Sequence, residues 1–396
     1  MKKLFAIMLT VALSVCACSM LTACGGKIED TIYIGVFEPA SGSNGAGGKQ
    51  ETLGVKYANS VKNSVKVGDK TYKVELVVVD NQSKEDKAVS AAGELVNKNC
   101  VVALGSYGSS VSIAASDTFK KAGMPAVGIT CTNPLVTQGN SHYFRVCFLD
   151  DFQGSVLAKY AKDEGNTKAY VLAELGNAYD VGLATYFKKA FGESECVYEN
   201  FPSDTPDFTA YITKAKDQGC SVIFAPTSIN YAELIIKKAK DLGFKGLILA
   251  GDTWDSNKVV AAANDAKDFD VKVTTFYQEG ANAEFDKGFA DWINGDNQRL
   301  ADNGGNDMIA AVSVMGYDAY MTAIHAIEKS TFNPTVKDAR KAIMDSLAAM
   351  NSVENAYAGV TGNIYFDATG DAKRESAFIK EADGGVWKFV KEQKAD

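Results

Sequence analysis

From residue 31 onward, short apolar runs rich in Val, Ile and Tyr alternate with longer segments whose apolar positions recur at helical spacing. That alternation predicts parallel sheets covered by helices. "TIYIGVF" (31–37) is followed by a helical stretch over 50–65, then "YKVELVVVDN" (72–81), a helix over 84–97, "VVALG" (101–105), a helix over 110–122 and "AVGIT" (126–130). "HYFRVCF" (142–148) opens a second series with the same rhythm: helix 152–164, strand 168–175, helix 180–191, strand 196–201, helix 208–219, strand 221–226, helix 231–242, strand 246–251, helix 256–265 and strand 271–277. Helices over 282–293, 308–328 and 335–348 follow, then "TGNIYFD" (361–367) and a hairpin around Asp383-Gly384-Gly385. The late helices have too few strands for a third domain, so they return to one of the first two units. The fold class is α/β, two doubly wound Rossmann-like lobes joined by a multi-stranded hinge. The expected division is 32–148 plus 279–372 for lobe 1, and 149–278 plus 373–396 for lobe 2.

The first residues follow a different pattern. Lys2 and Lys3 precede an apolar run from Leu4 to Val15, and small residues lead to Cys24, which is the order of an export signal. Leu21-Thr22-Ala23-Cys24-Gly25-Gly26 resembles a bacterial lipobox, so 1–23 reads as a signal peptide, Cys24 as the lipidated residue and 24–31 as a tether. No later run is long and apolar enough to span a bilayer.

Charge removes one class of partner. The net charge is −8, and −10 without the two lysines of the leader. Such a surface repels phosphate backbones and argues against nucleic acid. Cys100, Cys131, Cys147, Cys196 and Cys220 are spaced as neither a metal set nor a disulfide framework, and read as buried small hydrophobes. A single bridge, with Cys196 and Cys220 as one pairing, stays open. His142 and His325 have no acid or nucleophile at telling spacing and read as structural. No nucleophile elbow or zinc helix occurs, and no cofactor or metal is expected. "GSNGAGGK" (42–49) looks like a phosphate loop, but five residues separate Gly42 from Gly48-Lys49, Ser43 stands where glycine is needed and Gln50 follows the lysine.

Ligands of doubly wound sheets bind beyond the carboxyl ends of the strands. In the first lobe, "GSYGSS" (105–110) opens a helix whose free N–H groups could seat a carboxylate, with Ser109 or Ser110 a candidate cap. Thr130 and Thr132 are two apart, so their hydroxyls share a face if the strand continues through them. In the second, "AGDTWDS" puts Asp252 at the corresponding edge with Trp254 beside it, and Asp255 or Ser256 is better placed than Asp252 to cap the next helix. A carboxylate opposite a carboxylate seat suits an α-amino acid.

The run "GSYGSSVSIAASD…AGMPAVGITCTNPLVTQG…YFRVCFLDDFQGSVLAKYA", with "GNAYDVGLATYFKKAF", "DFTAYITKAKDQGCSVIF" and "AKDLGFKGLILAGD", resembles the leucine/isoleucine/valine-binding family, the type I solute-binding lipoproteins of ABC importers. The likeness runs from Ile32 to about Phe389. It implies a type I periplasmic binding protein fold in which Ser109, Thr130 and Thr132 hold the ligand's carboxylate and part of its ammonium. It also implies that Asp252 completes the ammonium site, Tyr179 closes over the ligand and Tyr107 lines the side-chain pocket. Two aromatics often present in the family are replaced here, at about Gly47 and at Ser228. The expectation is an exported, outward-facing, monomeric lipoprotein, not an enzyme, that hands an amino acid to an ABC permease. The alternatives are an aromatic acid, urea or short amide as ligand, or a sensor or receptor domain.

Overall fold

The computed structural model describes residues 26–264 and 266–395; the expected signal peptide and Cys24 lie outside them. The first sheet is built from β1 (Thr31–Glu38), β2 (Ser64–Val67), β3 (Lys70–Asp80), β4 (Val102–Leu104), β5 (Ala126–Gly128) and β6 (Tyr143–Arg145) in the order β2-β3-β1-β4-β5-β6. It is parallel except for the antiparallel edge β2. The second sheet holds β7 (Ala169–Glu174), β8 (Cys196–Phe201), β9 (Val222–Phe224), β10 (Gly246–Ala250) and β11 (Phe269–Thr275). The hairpin β14 (Ala377–Asp383) and β15 (Val386–Gln393) adds antiparallel to β11, giving the order β15-β14-β11-β10-β9-β7-β8. A small ribbon pairs β12 (Tyr357–Gly359) with β13 (Gly362–Ile364).

Both sheets are covered on both faces, which is why their central strands are apolar at nearly every position. On the first sheet, α1 (Gly45–Val61) packs on one face, and α2 (Glu85–Asn97) and α3 (Ser109–Lys121) on the other. On the second, α4 (Asp150–Asp163) and α5 (Ala178–Phe191) lie opposite α6 (Thr209–Asp217), α7 (Ile229–Asp241) and α8 (Asn257–Ala263). After α9 (Ala283–Asn294) and α10 (Asn297–Asp302), the long α11 (Ala311–Lys329) and α12 (Val336–Ala349) return to the first sheet, sharing one core with β1, β3 and β4. The chain passes between the two layers after β6, after β11 and before β14.

Three local differences from the sequence reading matter for the site. First, α1 begins inside the glycine-rich segment, at Gly45, where Gly47 packs on the Tyr107 ring and Gly48 on the Pro39 carbonyl, and its later glycine is a packing surface as well. A Cβ on Gly54 would lie 1.8 Å from the Ser313 carbonyl oxygen, and one on Gly316 would lie 2.4 Å from that of Glu51. Only glycine lets α1 and α11 approach this closely, and the Ser313 hydroxyl adds a 2.7 Å bond to the Gln50 carbonyl. Second, α1 stops at Val61 rather than 65, since 64–67 is taken by the edge strand β2. Third, β5 ends at Gly128, so Thr130 and Thr132 sit in the following loop, not in the strand. That loop is fixed by Arg145, which is fully buried. Its guanidinium pairs with Asp371 at 2.5 Å and donates to the carbonyls of Cys131 (2.8 Å) and Asn133 (2.6 Å).

The five cysteines among the described residues are free thiols, four of them buried, so Cys196 and Cys220 do not pair. His325 lies in α11 with its ring against Tyr357, and His142 in the turn before β6; burial lowers the pKa of each. Among the described residues no helix is long and apolar enough to cross a membrane.

Candidate ligand-binding cleft

Strand order reverses beside β1 in the first sheet, which has β3 on one side and β4 on the other, and beside β7 in the second. These are the places where open α/β sheets bind ligands, and the carboxyl ends of the two sheets face each other across a cleft. Several bonds cross it, four of them around the cavity at its mouth. The Tyr107 hydroxyl donates to the Thr253 carbonyl (2.7 Å), and the Ile229 N–H donates to Asn44 Oδ1 (3.2 Å). The Ala178 N–H donates to Ser110 Oγ (2.9 Å), and Asn133 Nδ2 donates to the Ala178 carbonyl (2.6 Å). The cleft is therefore closed, leaving at its mouth a cavity of ≈ 40 Å³ lined by Asn44, Tyr107, Ser109, Tyr179, Ser228 and Thr253 among others.

On the second-lobe side, Asp252 opens a short 3₁₀ turn directly after β10 and is 2% exposed. Its carboxylate accepts from Gln153 Nε2 (2.8 Å) and the Tyr179 hydroxyl (3.1 Å). Burial lifts its pKa to about 6, against the opposing pull of those two donors. Ser256, not Asp252, caps α8, accepting from the Lys258 N–H. The aspartate is thus free of the capping role that would have explained it. Beside it, Asp150 at the start of α4 is fully buried with neither side-chain oxygen bonded among the described residues, and burial raises its pKa well above normal.

The first-lobe side is more acidic than the sequence reading has it. Glu38, the last residue of β1, is 1% exposed, and Glu51, in α1, is fully buried. Their carboxyls lie against one another. Glu38 also accepts from the Tyr107 N–H at 2.8 Å, and Glu51 accepts from the Thr130 hydroxyl. Burial pushes Glu38 well above the carboxylate range, and the charge of Glu51 adds to this. Burial likewise carries Glu51 to about 8, with the charge of Asp252 adding from the opposite wall. Glu38 Oε1, Glu51 Oε2, Thr132 Oγ1 and Gln153 Oε1 have no partner among the described residues. Buried polar atoms are bonded in the great majority of cases, so this concentration makes the cleft a candidate site for a polar guest.

The residues singled out from sequence fall as follows. Tyr107, Ser109, Tyr179 and Ser228 border the cavity, and Asp252 touches Tyr179. Thr130 and Thr132 are buried but do not line it, and they address different groups, Thr130 reaching Glu51 and Thr132 lying near Asp150. Neither Ser109 nor Ser110 caps α3. Gly108 takes the extended cap position, while Ser109 Oγ accepts from the Asn133 N–H (3.1 Å) and Ser110 reaches the other lobe. Trp254 does not border the cavity. Its ring is fully buried in the apolar cluster with Ile229 and Ala250, and its N–H donates to the Thr227 carbonyl at 2.9 Å. A Cβ on Gly47 would lie 2.3 Å from the Tyr107 ring. The tyrosine from the β4 loop occupies the space that an aromatic from the first loop would need. Glu38, Glu51, Asp150 and Gln153 were missed; Glu38 alone carried a signal, as an acid at a strand's carboxyl end just before Pro39.

Comparison with known proteins adds three findings. The sequence profile of the periplasmic binding protein family matches residues 31–385. Leu/Ile/Val-binding protein homolog 2 of Brucella abortus is 29% identical over 363 residues, spanning 90% of this chain and 91% of that protein. Among solved structures, a leucine-binding protein LivK from Thermotoga maritima superposes with a TM-score of 0.79 at 28% identity, covering 92% of this chain and 99% of its own. LivJ from Streptococcus pneumoniae, solved with isoleucine, gives a TM-score of 0.76 at 23% identity over 91% of this chain and 99% of its own. The latter likeness is one of fold.

Proposed function

The chain belongs to the periplasmic binding protein family, and from that premise we propose that it captures an amino acid, branched-chain or similar, between its lobes and delivers it to an ABC permease. Members of this family bind solutes for ABC transporters and do no chemistry on them. Ser109, the N-terminus of α3 and the Thr132 hydroxyl receive the α-carboxylate, and Asp252 receives the α-ammonium. Tyr179 and Tyr107 close over the ligand, and Ser228 borders it. The lobes, 32–148 plus 279–372 and 149–278 plus 373–396, move on the three crossing segments. Cys24, lipidated after removal of 1–23, holds the protein at the outer face of the membrane.

The observation that carries this reading is Asp252. It is a buried carboxylate at a strand's carboxyl end, bonded only by neutral donors, and it faces the hydroxyl-bearing loops of the other lobe. Closure removes water, so each charge-assisted bond gains strength as the ligand's surface is buried. Micromolar affinity corresponds to about −8 kcal/mol, within reach of a few such bonds and one buried side chain.

An aromatic acid is the weaker alternative, because its anion would enter a cleft already holding four buried acids with no salt bridge among the described residues. A urea or short amide supplies N–H donors and is the reading to test beside amino acids. A thermal-shift panel decides: stabilisation by free amino acids and not by benzoate or acetamide supports the proposal, and the reverse pattern overturns it.

A further inference from the structure

We infer that the amino acid this cleft accepts carries a second cationic group at its distal end, which seats against the Glu38–Glu51 carboxyl pair. The inference rests on the amino-acid reading above and narrows it to the basic side chains of ornithine, lysine and arginine.

The unmatched atoms of the cleft set the chemistry of the guest. Glu38 Oε1, Glu51 Oε2, Gln153 Oε1 and both side-chain oxygens of Asp150 are acceptors on residues at most 1% exposed, and among the described residues the fold offers them at most one another and the Thr132 hydroxyl. The single ammonium of a zwitterion with an aliphatic side chain has three N–H donors, too few for Asp252 and all of these acceptors. Each glutamate already has its neutral donor, the Tyr107 N–H for Glu38 and the Thr130 hydroxyl for Glu51, and still has an orphaned oxygen. In the ligand-free protein burial keeps both carboxyls protonated at neutral pH, one donating to the other, and the pair becomes charged only when a proton leaves. A buried charge of this kind needs a counter-charge.

The protein does not provide one. The buried cations near the cleft are committed elsewhere: Arg145 to Asp371 at 2.5 Å, and Lys380 to Asp255 at 3.1 Å. Neither Glu38 nor Glu51 forms a salt bridge among the described residues. Their placement is also rigid, since α1 is locked to α11 through Gly54, Gly316 and the Ser313 bond, so Glu51 cannot swing out to solvent without separating those helices. Glu51 meets the Thr130 hydroxyl, and Glu38 meets the N–H of Tyr107, which itself borders the cavity of the cleft. An ammonium or guanidinium reaching from the α-carbon toward Glu51 would satisfy the orphaned acceptors and neutralise the pair.

The test is calorimetry on the full-length chain, stripped of bound ligand by unfolding and refolding, with arginine, lysine, ornithine, leucine, isoleucine, valine, urea and acetamide as probes. The expected result is that at least one basic amino acid binds tenfold or more tighter than leucine. The isosteric Glu51→Gln should lower that ratio at least tenfold. Leucine, isoleucine or valine binding as tightly as the basic set overturns this inference and leaves the amino-acid reading standing. Binding of urea or acetamide with no amino acid bound overturns both. The panel on the unmodified protein is decisive by itself if the variant does not fold.

Discussion

Two sets of buried acids lie within a short span of this molecule and are treated in opposite ways. Asp371 and Asp255 have cations of their own, Arg145 and Lys380, and Asp318 is bonded by the N–H groups of Val360 and Thr361 at 2.8 Å each. Glu38, Glu51, Asp150 and Asp252 are as deeply buried and have only neutral donors or none among the described residues. The first set is architecture: Arg145 ties the loop carrying Thr130 and Thr132 to the crossing segment that carries Asp371. The second set is a deficit, concentrated where two sheets turn their carboxyl ends toward each other, and it is what a ligand would fill. Burial alone does not separate a site from a scaffold; the presence of an internal counter-charge does.

The largest effect should come from breaking a paired acid. Arg145→Met leaves Asp371 buried and uncompensated and frees two loop carbonyls, a loss of about 3–5 kcal/mol. Urea unfolding of the ligand-free protein measures it. Asp371→Asn added to Arg145→Met should recover part of the loss, because it removes the stranded charge. Equal stability of Arg145→Met and the parent would erase the distinction between the two sets.

Removing an unpaired acid should act on binding instead. Asp252→Ala strands the ligand's ammonium in a cleft without water and should weaken amino-acid binding by about 2–5 kcal/mol, at least thirtyfold by calorimetry. The same substitution should leave the ligand-free protein as stable as the parent, or more stable, since it removes an unpaired charge. A large loss of stability with unchanged affinity would place Asp252 with the scaffold.

The two sets were unequally visible in the sequence. Asp252 and Ser109 could be singled out because each follows a strand signal at once, and the rule that ligands gather at strand ends needs only local pattern; Tyr179 came from the family resemblance alone. Glu51 could not. It lies in "GGKQETLGVKYANSV", where a glutamate one residue from a lysine-glutamine pair reads as the solvated face of a helix. It turns inward because α11, some 260 residues later, packs there, with Gly316 on the Glu51 carbonyl and Ser313 on Gly54. The end of β5 was misjudged for a similar reason: Thr130 has strand propensity, but Arg145 and Asp371 hold that segment as a loop. The succession of strands and helices along the chain and the α/β class were legible from periodicity; counter-charges supplied across long sequence distances were not.

A smaller effect concerns pH. Glu51 and Asp252 have ordinary values of 4.5 and 3.8 and are raised to about 8 and about 6 in the closed protein. The folded state therefore holds protons that the unfolded chain would release. The stability this confers is present at low pH and is lost as pH rises, between about 4 and 6 for Asp252 and between about 4.5 and 8 for Glu51. Opening the cleft to water relieves the strain, so the net change should be only about 1 kcal/mol between pH 5 and pH 8. Thermal melts of the ligand-free protein should show it, and Glu51→Gln should flatten the slope. A stability that rises over this range would mean that these carboxyls have internal counter-charges after all.

The smallest effect isolates closure from both kinds of acid. Ser110 Oγ accepts the Ala178 N–H at 2.9 Å, joining the first turn of α3 to the first turn of α5 across the cleft. That bond exists only when the lobes meet, and neither partner is charged. Ser110→Ala should cost the closed state about 0.5–1.5 kcal/mol, toward the lower end because the half-exposed mouth lets water reach the freed N–H. Affinity should fall about two- to tenfold, with the loss in the dissociation rate, since the open form that first meets the ligand is unchanged. Unfolding of the ligand-free protein should change far less than with Arg145→Met. A Ser110→Ala protein that releases ligand no faster than the parent would show that the lobes are held together by the ligand's own charges and not by the contacts between them.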